Sequence, residues 1–137
     1  MILTDYLVPF SFGLDDLPSP LTLILTIVFN MICEDLGFHL THKLGHHRYL
    51  YPYIHKHHHN YLTSVSIAGE HFHPIDFFLG ALIPGSLGPN LLGQRMHFTT
   101  YLAWIIVRTG ESVDGHTGYE FSWSPYRLLP FATSAKS

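Results

Sequence analysis

The chain has 137 residues, with seven Lys and Arg against ten Asp and Glu and a formal net charge of -3 when histidine is neutral. That length suits one domain. Charged residues make up 12% of the chain, about half the usual share, and aromatic residues 15%, so a disordered or polybasic chain is excluded and no surplus of positive charge exists for a nucleic acid partner. The single cysteine, Cys33, rules out an internal disulfide, and Asp5, Asp15 and Asp16 stand where a secretory signal would be basic. The outlying count is twelve histidines, all of them between His39 and His116.

From Leu17 to Cys33 no residue is charged, and Leu21 to Phe29 is apolar on every side of a helix. Pro18 and Pro20 sit where such a helix begins. The stretch is at the short limit for crossing a membrane, a buried helix of a soluble protein being the alternative. A second uncharged stretch runs from Phe77 to Gln94, interrupted by Gly80, Pro84, Gly85, Gly88, Pro89 and Gly93, and its pattern predicts a helical hairpin or re-entrant segment. A third, His97 to Val107, is too short to cross alone and is expected to pair with the second. Apolar membrane segments are therefore expected at about 17–33 and 77–107. Between them lie Lys43, Arg48 and Lys56, three of the seven basic residues, which places that segment on the cytoplasmic side. No run alternates with period two for more than a few residues, so the fold is expected to be all-α.

The segment between the apolar stretches carries the histidines. His42 and His46 are four residues apart, one turn of a helix and one face. His55, His58 and His59, in the string HxxHH, stand at i, i+3 and i+4 and again share a face, while His57 points elsewhere. Either pair alone reads as a solvated helix face; the two boxes together read as ligands of a shared metal site. His39 and His47 fall on other faces and are expected to support the site or the fold. Imidazole suits zinc, copper, iron and nickel alike. A hydrolytic zinc site would want a carboxylate inside a box, as in HExxH, and Glu34, Asp35 and Glu70 all lie outside both. Many neutral nitrogen ligands beside apolar helices instead suit iron that binds dioxygen behind water-excluding walls.

The strings Glu34-Asp35, His42-Lys43-Leu44-Gly45-His46-His47 and Tyr53-Ile54-His55-Lys56-His57-His58-His59, with Glu70-His71-Phe72-His73-Pro74, Glu111 to Tyr119, Trp123 and Leu129-Pro130-Phe131, resemble the fatty acid hydroxylase and sterol desaturase superfamily. They are most similar to its C4-methylsterol monooxygenase branch, with cholesterol 25-hydroxylase-like proteins as neighbours. The resemblance runs from about Tyr6 to Phe131. It implies a membrane-embedded helical bundle of the endoplasmic reticulum, multi-pass, with a cytosol-facing site for two iron ions. The implied activity is an O2-dependent monooxygenase that inserts oxygen into a C–H bond of a sterol or related lipid, C4-methylsterol oxidation above all. Electrons would come from cytochrome b5 or a similar donor, in keeping with the absence of a G-x-G-x-x-G string. Residue by residue it maps His42 and His46 onto the first family box, His55, His58 and His59 onto the second, and His116 onto a later segment as a further ligand. His73 matches a family His-Pro whose role stays open between ligation and packing.

Against that pattern the chain lacks a third box of HHxxHH type after Phe131 and membrane helices before Tyr6. The expectation is a single, partial domain over 1–137 in which water, a carboxylate such as Asp114, or another chain completes the coordination. The alternative is a truncated, non-catalytic metal-binding paralogue or fragment that pairs with a full-length subunit.

Overall fold

Ser19 caps the first long helix by accepting the Thr22 amide at 3.1 Å, and Pro20 occupies a first-turn position that needs no amide hydrogen. A computed structural model of the chain describes residues 10–56 and 73–117. The helix, α1 (Pro20–Gly45), continues well past the uncharged stretch that ends at Cys33. Glu34, the first charge past that stretch, is paired: Arg108 meets its Oε1 through Nε at 3.0 Å and Nη2 at 2.7 Å. At 1.5 Å per residue the 26 residues of α1 rise about 39 Å, more than a hydrocarbon core of roughly 30 Å, and its charged residues, Glu34, Asp35 and Lys43, all fall in the half that carries His42.

The second stretch corrects the expectation of a broken hairpin. One helical path of 22 residues runs from Pro74 to Arg95. It comprises α2 (Pro74–Phe77), a π-helical turn (Phe78–Leu82), α3 (Ile83–Leu92) and a 3-10 turn (Gly93–Arg95). The prolines are absorbed locally. In a regular helix the ring of Pro84 would collide with the carbonyl of Gly80, and the widened π-turn stands directly before it. Pro89 leaves the Gly85 carbonyl without its usual amide donor, and the buried indole Nε1 of Trp104 donates to that oxygen at 3.1 Å. Only at Gly93, with φ +54°, does the backbone turn into the region that favours glycine, and there the α-helix gives way to the 3-10 turn.

The last described element, α4 (Phe98–His116), is capped by His97, whose Nδ1 accepts from the Thr99 amide at 3.2 Å while Nε2–H donates to the Gly13 carbonyl at 3.1 Å. The amino-terminal segment is fastened to the same corner by a Ser11–His97 bridge and by stacking of Phe12 on Phe98 and Phe10 on Tyr101. Small residues set the helix spacing. A Cβ on Gly37 would come within 3.1 Å of the Pro84 Cα, and one on Gly88 within 2.9 Å of the Asn30 Cα, so α1 and α3 touch backbone to backbone. Asn30, fully buried there, donates through Nδ2 to the Met96 sulfur at 3.8 Å.

Large apolar side chains do the opposite of what they do in water. Leu21, Leu25, Ile32, Leu36 and Leu40 on α1 and Phe78, Leu82 and Leu91 on the second helix are exposed, while Trp104, Met96 and the glycines and prolines of α3 are buried. Only 6% of the most apolar window of α1 is buried among the described residues, unlike the mostly buried core helix of a soluble protein. Two helices long and apolar enough to cross a bilayer, sealed to each other by small residues and clothed outside in leucine, make this an all-α membrane protein. Among the described residues there is no strand beyond the isolated bridge.

Candidate metal centre

The end of α1 brings His42 and His46 onto one face, as their spacing requires, with the two Nε2 atoms 3.1 Å apart. The chain then leaves the helix through turns over residues 46–54, with the His46 amide donating to the His42 carbonyl at 3.0 Å, and folds His55 back onto the same face. The three rings form a nearly equilateral triangle: centroids are 4.6 Å apart for His42 and His46, 4.7 Å for His42 and His55, and 4.6 Å for His46 and His55. Each pair meets edge to face. One ligand nitrogen from each lies within 4.8 Å of the others.

The return of His55 depends on Gly45, where a Cβ would stand 3.1 Å from both Cγ and Nδ1 of that ring. Asp76, in the first turn of α2, holds His55 from behind, with Nδ1 2.9 Å from each carboxylate oxygen. Phe38 stacks on His42 and Tyr51 on His46, which limits how those rings turn. The three residues run from buried His55 through half-buried His42 to exposed His46.

These donors fit a metal ion. Two nitrogens about 2.1 Å from one ion, seen at roughly a right angle, are about 3.0 Å apart, close to the observed His42–His46 separation. The same approach also allows one ring to donate to the other, so that pair alone decides nothing. The third ring, turned in from another segment and fastened by a carboxylate on its far nitrogen, is the arrangement of a metal-ligating histidine with its supporting acceptor.

Of the other expected ligands, His58 and His59 lie outside the described residues, as do His57 and Glu70. His116 is the last residue of α4. His39 and His47 are exposed and stand outside the triad, as their helical phase predicts. His73 caps α2, accepting the Ile75 amide at 3.3 Å. Glu34 serves Arg108 rather than the histidines, and Arg108 also reaches toward the Ala81 carbonyl across Gly85. Beside that pair Glu111 is pushed above the ordinary glutamate range by burial first and then by the negative charges of Glu34 and Asp35, with Arg108 opposing. Sequence reasoning missed Asp76. Its signal was there: a lone carboxylate at the edge of an otherwise uncharged run, a position that calls for a partner.

The comparisons decide the family. The fatty acid hydroxylase family model matches residues 27–136. The chain belongs to the fatty acid hydroxylase family. Among its relatives, a Dictyostelium discoideum protein provisionally named a methylsterol monooxygenase is 40% identical over 116 residues, 84% of this chain and 42% of that protein. A very-long-chain aldehyde decarbonylase of rice, Oryza sativa, is 36% identical across 83% of this chain and 42% of its own length. Methylsterol monooxygenase 2-1 of Arabidopsis thaliana is 37% identical across 83% of this chain and 41% of its own length. This fatty acid hydroxylase-family chain thus spans about two fifths of the length of the curated relatives it matches. No solved structure matches it.

Proposed function

We propose that the chain supplies the first part of the metal centre of an O2-dependent lipid oxygenase that acts on a sterol, a C4-methyl group above all. The observation that carries this reading is the three-histidine triangle at the end of an apolar helix. His42 and His46 would hold iron through Nε2, and His55 through the nitrogen opposite the one bound to Asp76. His58 and His59, next on the chain, and His116 would add ligands for a second ion. Bound iron supplies the activation of dioxygen.

His116 stands eight residues beyond Arg108, which binds Glu34, itself eight residues before His42, a spacing that supports His116 as a further ligand. Phe38 and Tyr51 flank the rings, and the leucine-rich outer faces of α1 and the second helix offer a path for an apolar substrate from the bilayer. Lys43, Arg48 and Lys56 lie at this end, which supports a cytosolic orientation in the endoplasmic reticulum, multi-pass, within reach of cytochrome b5 or a similar donor.

The test is iron analysis together with oxidation of a C4-methylsterol in membranes that hold the chain and a reduced cytochrome b5 system. Iron is expected to co-purify and to be lost with His42→Ala or His58→Ala, and His57→Ala is expected to cost far less. Iron held without any sterol oxidation would defeat the oxygenase reading in favour of a metal-binding partner chain. No iron at all would defeat the site.

A further inference from the structure

His55 is gripped on two sides. Behind it both oxygens of Asp76 lie 2.9 Å from Nδ1, and beneath it Gly45 leaves only the room that a missing Cβ provides. The two paired side chains are 3% and 7% exposed, so water does not compete for this bond. A carboxylate accepts and does not donate, so Nδ1 carries a ring hydrogen and Nε2 is the nitrogen that a metal could take. That ring stands within 4.7 Å, centroid to centroid, of both His42 and His46. A histidine–aspartate pair serving only to weld two segments would have no need to sit at the apex of such a triangle.

We infer that Asp76 is a positioning residue of the metal centre, which selects the tautomer of His55 and aims its Nε2 at the ion that His42 and His46 share. The inference rests on the metal reading of the triad. It also makes the first turn of the second membrane helix part of the site, since Asp76 is its third residue and lies 21 positions from His55. A carboxylate behind a ligating imidazole orients the ring and raises its donor strength, and its loss typically weakens metal binding 10- to 100-fold.

Cobalt(II) is the probe, titrated into the full chain in detergent and followed by its visible absorption. The unsubstituted chain is expected to bind cobalt, and Asp76→Asn, of the same shape, to weaken binding about 10- to 100-fold while the metal-free protein stays folded with the same helical content. His55→Ala and the double variant His55→Ala/Asp76→Asn are expected to bind alike, because Asp76 acts through His55. A second measurement needs no variant: nitrogen-15 NMR of histidine-labelled, metal-free chain is expected to place the hydrogen of His55 on Nδ1. Cobalt binding unchanged by Asp76→Asn, a further loss in the double variant, or a hydrogen on Nε2 each overturn the inference and leave the metal site standing. Failure of the unsubstituted chain to bind cobalt overturns the metal reading and this inference together.

Discussion

Gly45 illustrates how much of the site depends on an atom that is not there. It lies in the last turn of α1 with ordinary helical backbone, so alanine would cost no strain and would gain up to about 1 kcal/mol of helix propensity. The new Cβ would stand 3.1 Å from two atoms of the His55 ring, which cannot slide away freely because Asp76 holds its other edge. Stability and metal binding should therefore separate. Gly45→Ala is expected to shift the thermal midpoint of the metal-free chain little, the gain in helix propensity offsetting the crowding of His55, and to weaken cobalt binding roughly 10-fold, since a ligand displaced by a few tenths of an ångström meets its ion poorly. Equal affinity for cobalt in both proteins would show that the ring has room to spare.

Helix against helix, the chain is held by close approach and a few buried polar contacts rather than by a leucine core. Gly88 is the tightest point: its Cβ would meet the Asn30 Cα at 2.9 Å and collide with Asn30 Oδ1, and the first of these is backbone that cannot rotate aside. Overpacking of that kind costs about 1–3 kcal/mol. Gly88→Ala is accordingly expected to lower stability in detergent by that amount, measured by thermal or denaturant unfolding. Gly80→Ala in the same helix meets nothing closer than the Asp76 carboxylate at 3.9 Å and should be neutral or stabilising. If both variants behave alike, helix propensity and not contact governs this helix. The Trp104–Gly85 bond belongs to the same logic, because it satisfies the one carbonyl that Pro89 releases inside apolar surroundings.

Over the whole molecule, the apolar side chains that would form a core in water point outward along α1 and the second helix, and Trp104 and Met96 are the large apolar residues that the described part buries almost completely. Exposure on that scale suits a chain whose surroundings are lipid. The chain is expected to sediment with membranes and to resist extraction with alkaline carbonate. Recovery as a dispersed monomer without detergent would contradict the outward orientation of Leu21, Leu25, Leu36 and Leu40.

Residue types and spacing by themselves determined the all-helical class, the apolar stretches and the pairing of His42 with His46, because helical periodicity is local and an i, i+4 pair needs no tertiary help. The start of α1 at Pro20 was equally legible from Ser19 and the prolines. Other features were decided only in three dimensions. The pairing of Glu34 with Arg108 joins two helices, and that Gly80 to Pro89 forms one span rather than a hairpin depends on the π-turn and on an indole supplied by α4. The placement of His55 beside His42 and His46 depends on turns, on the missing Cβ of Gly45 and on Asp76, 21 residues away. A hydrogen bond across that distance leaves no periodic trace in a sequence, whereas the burial of both its partners makes it strong in the folded chain.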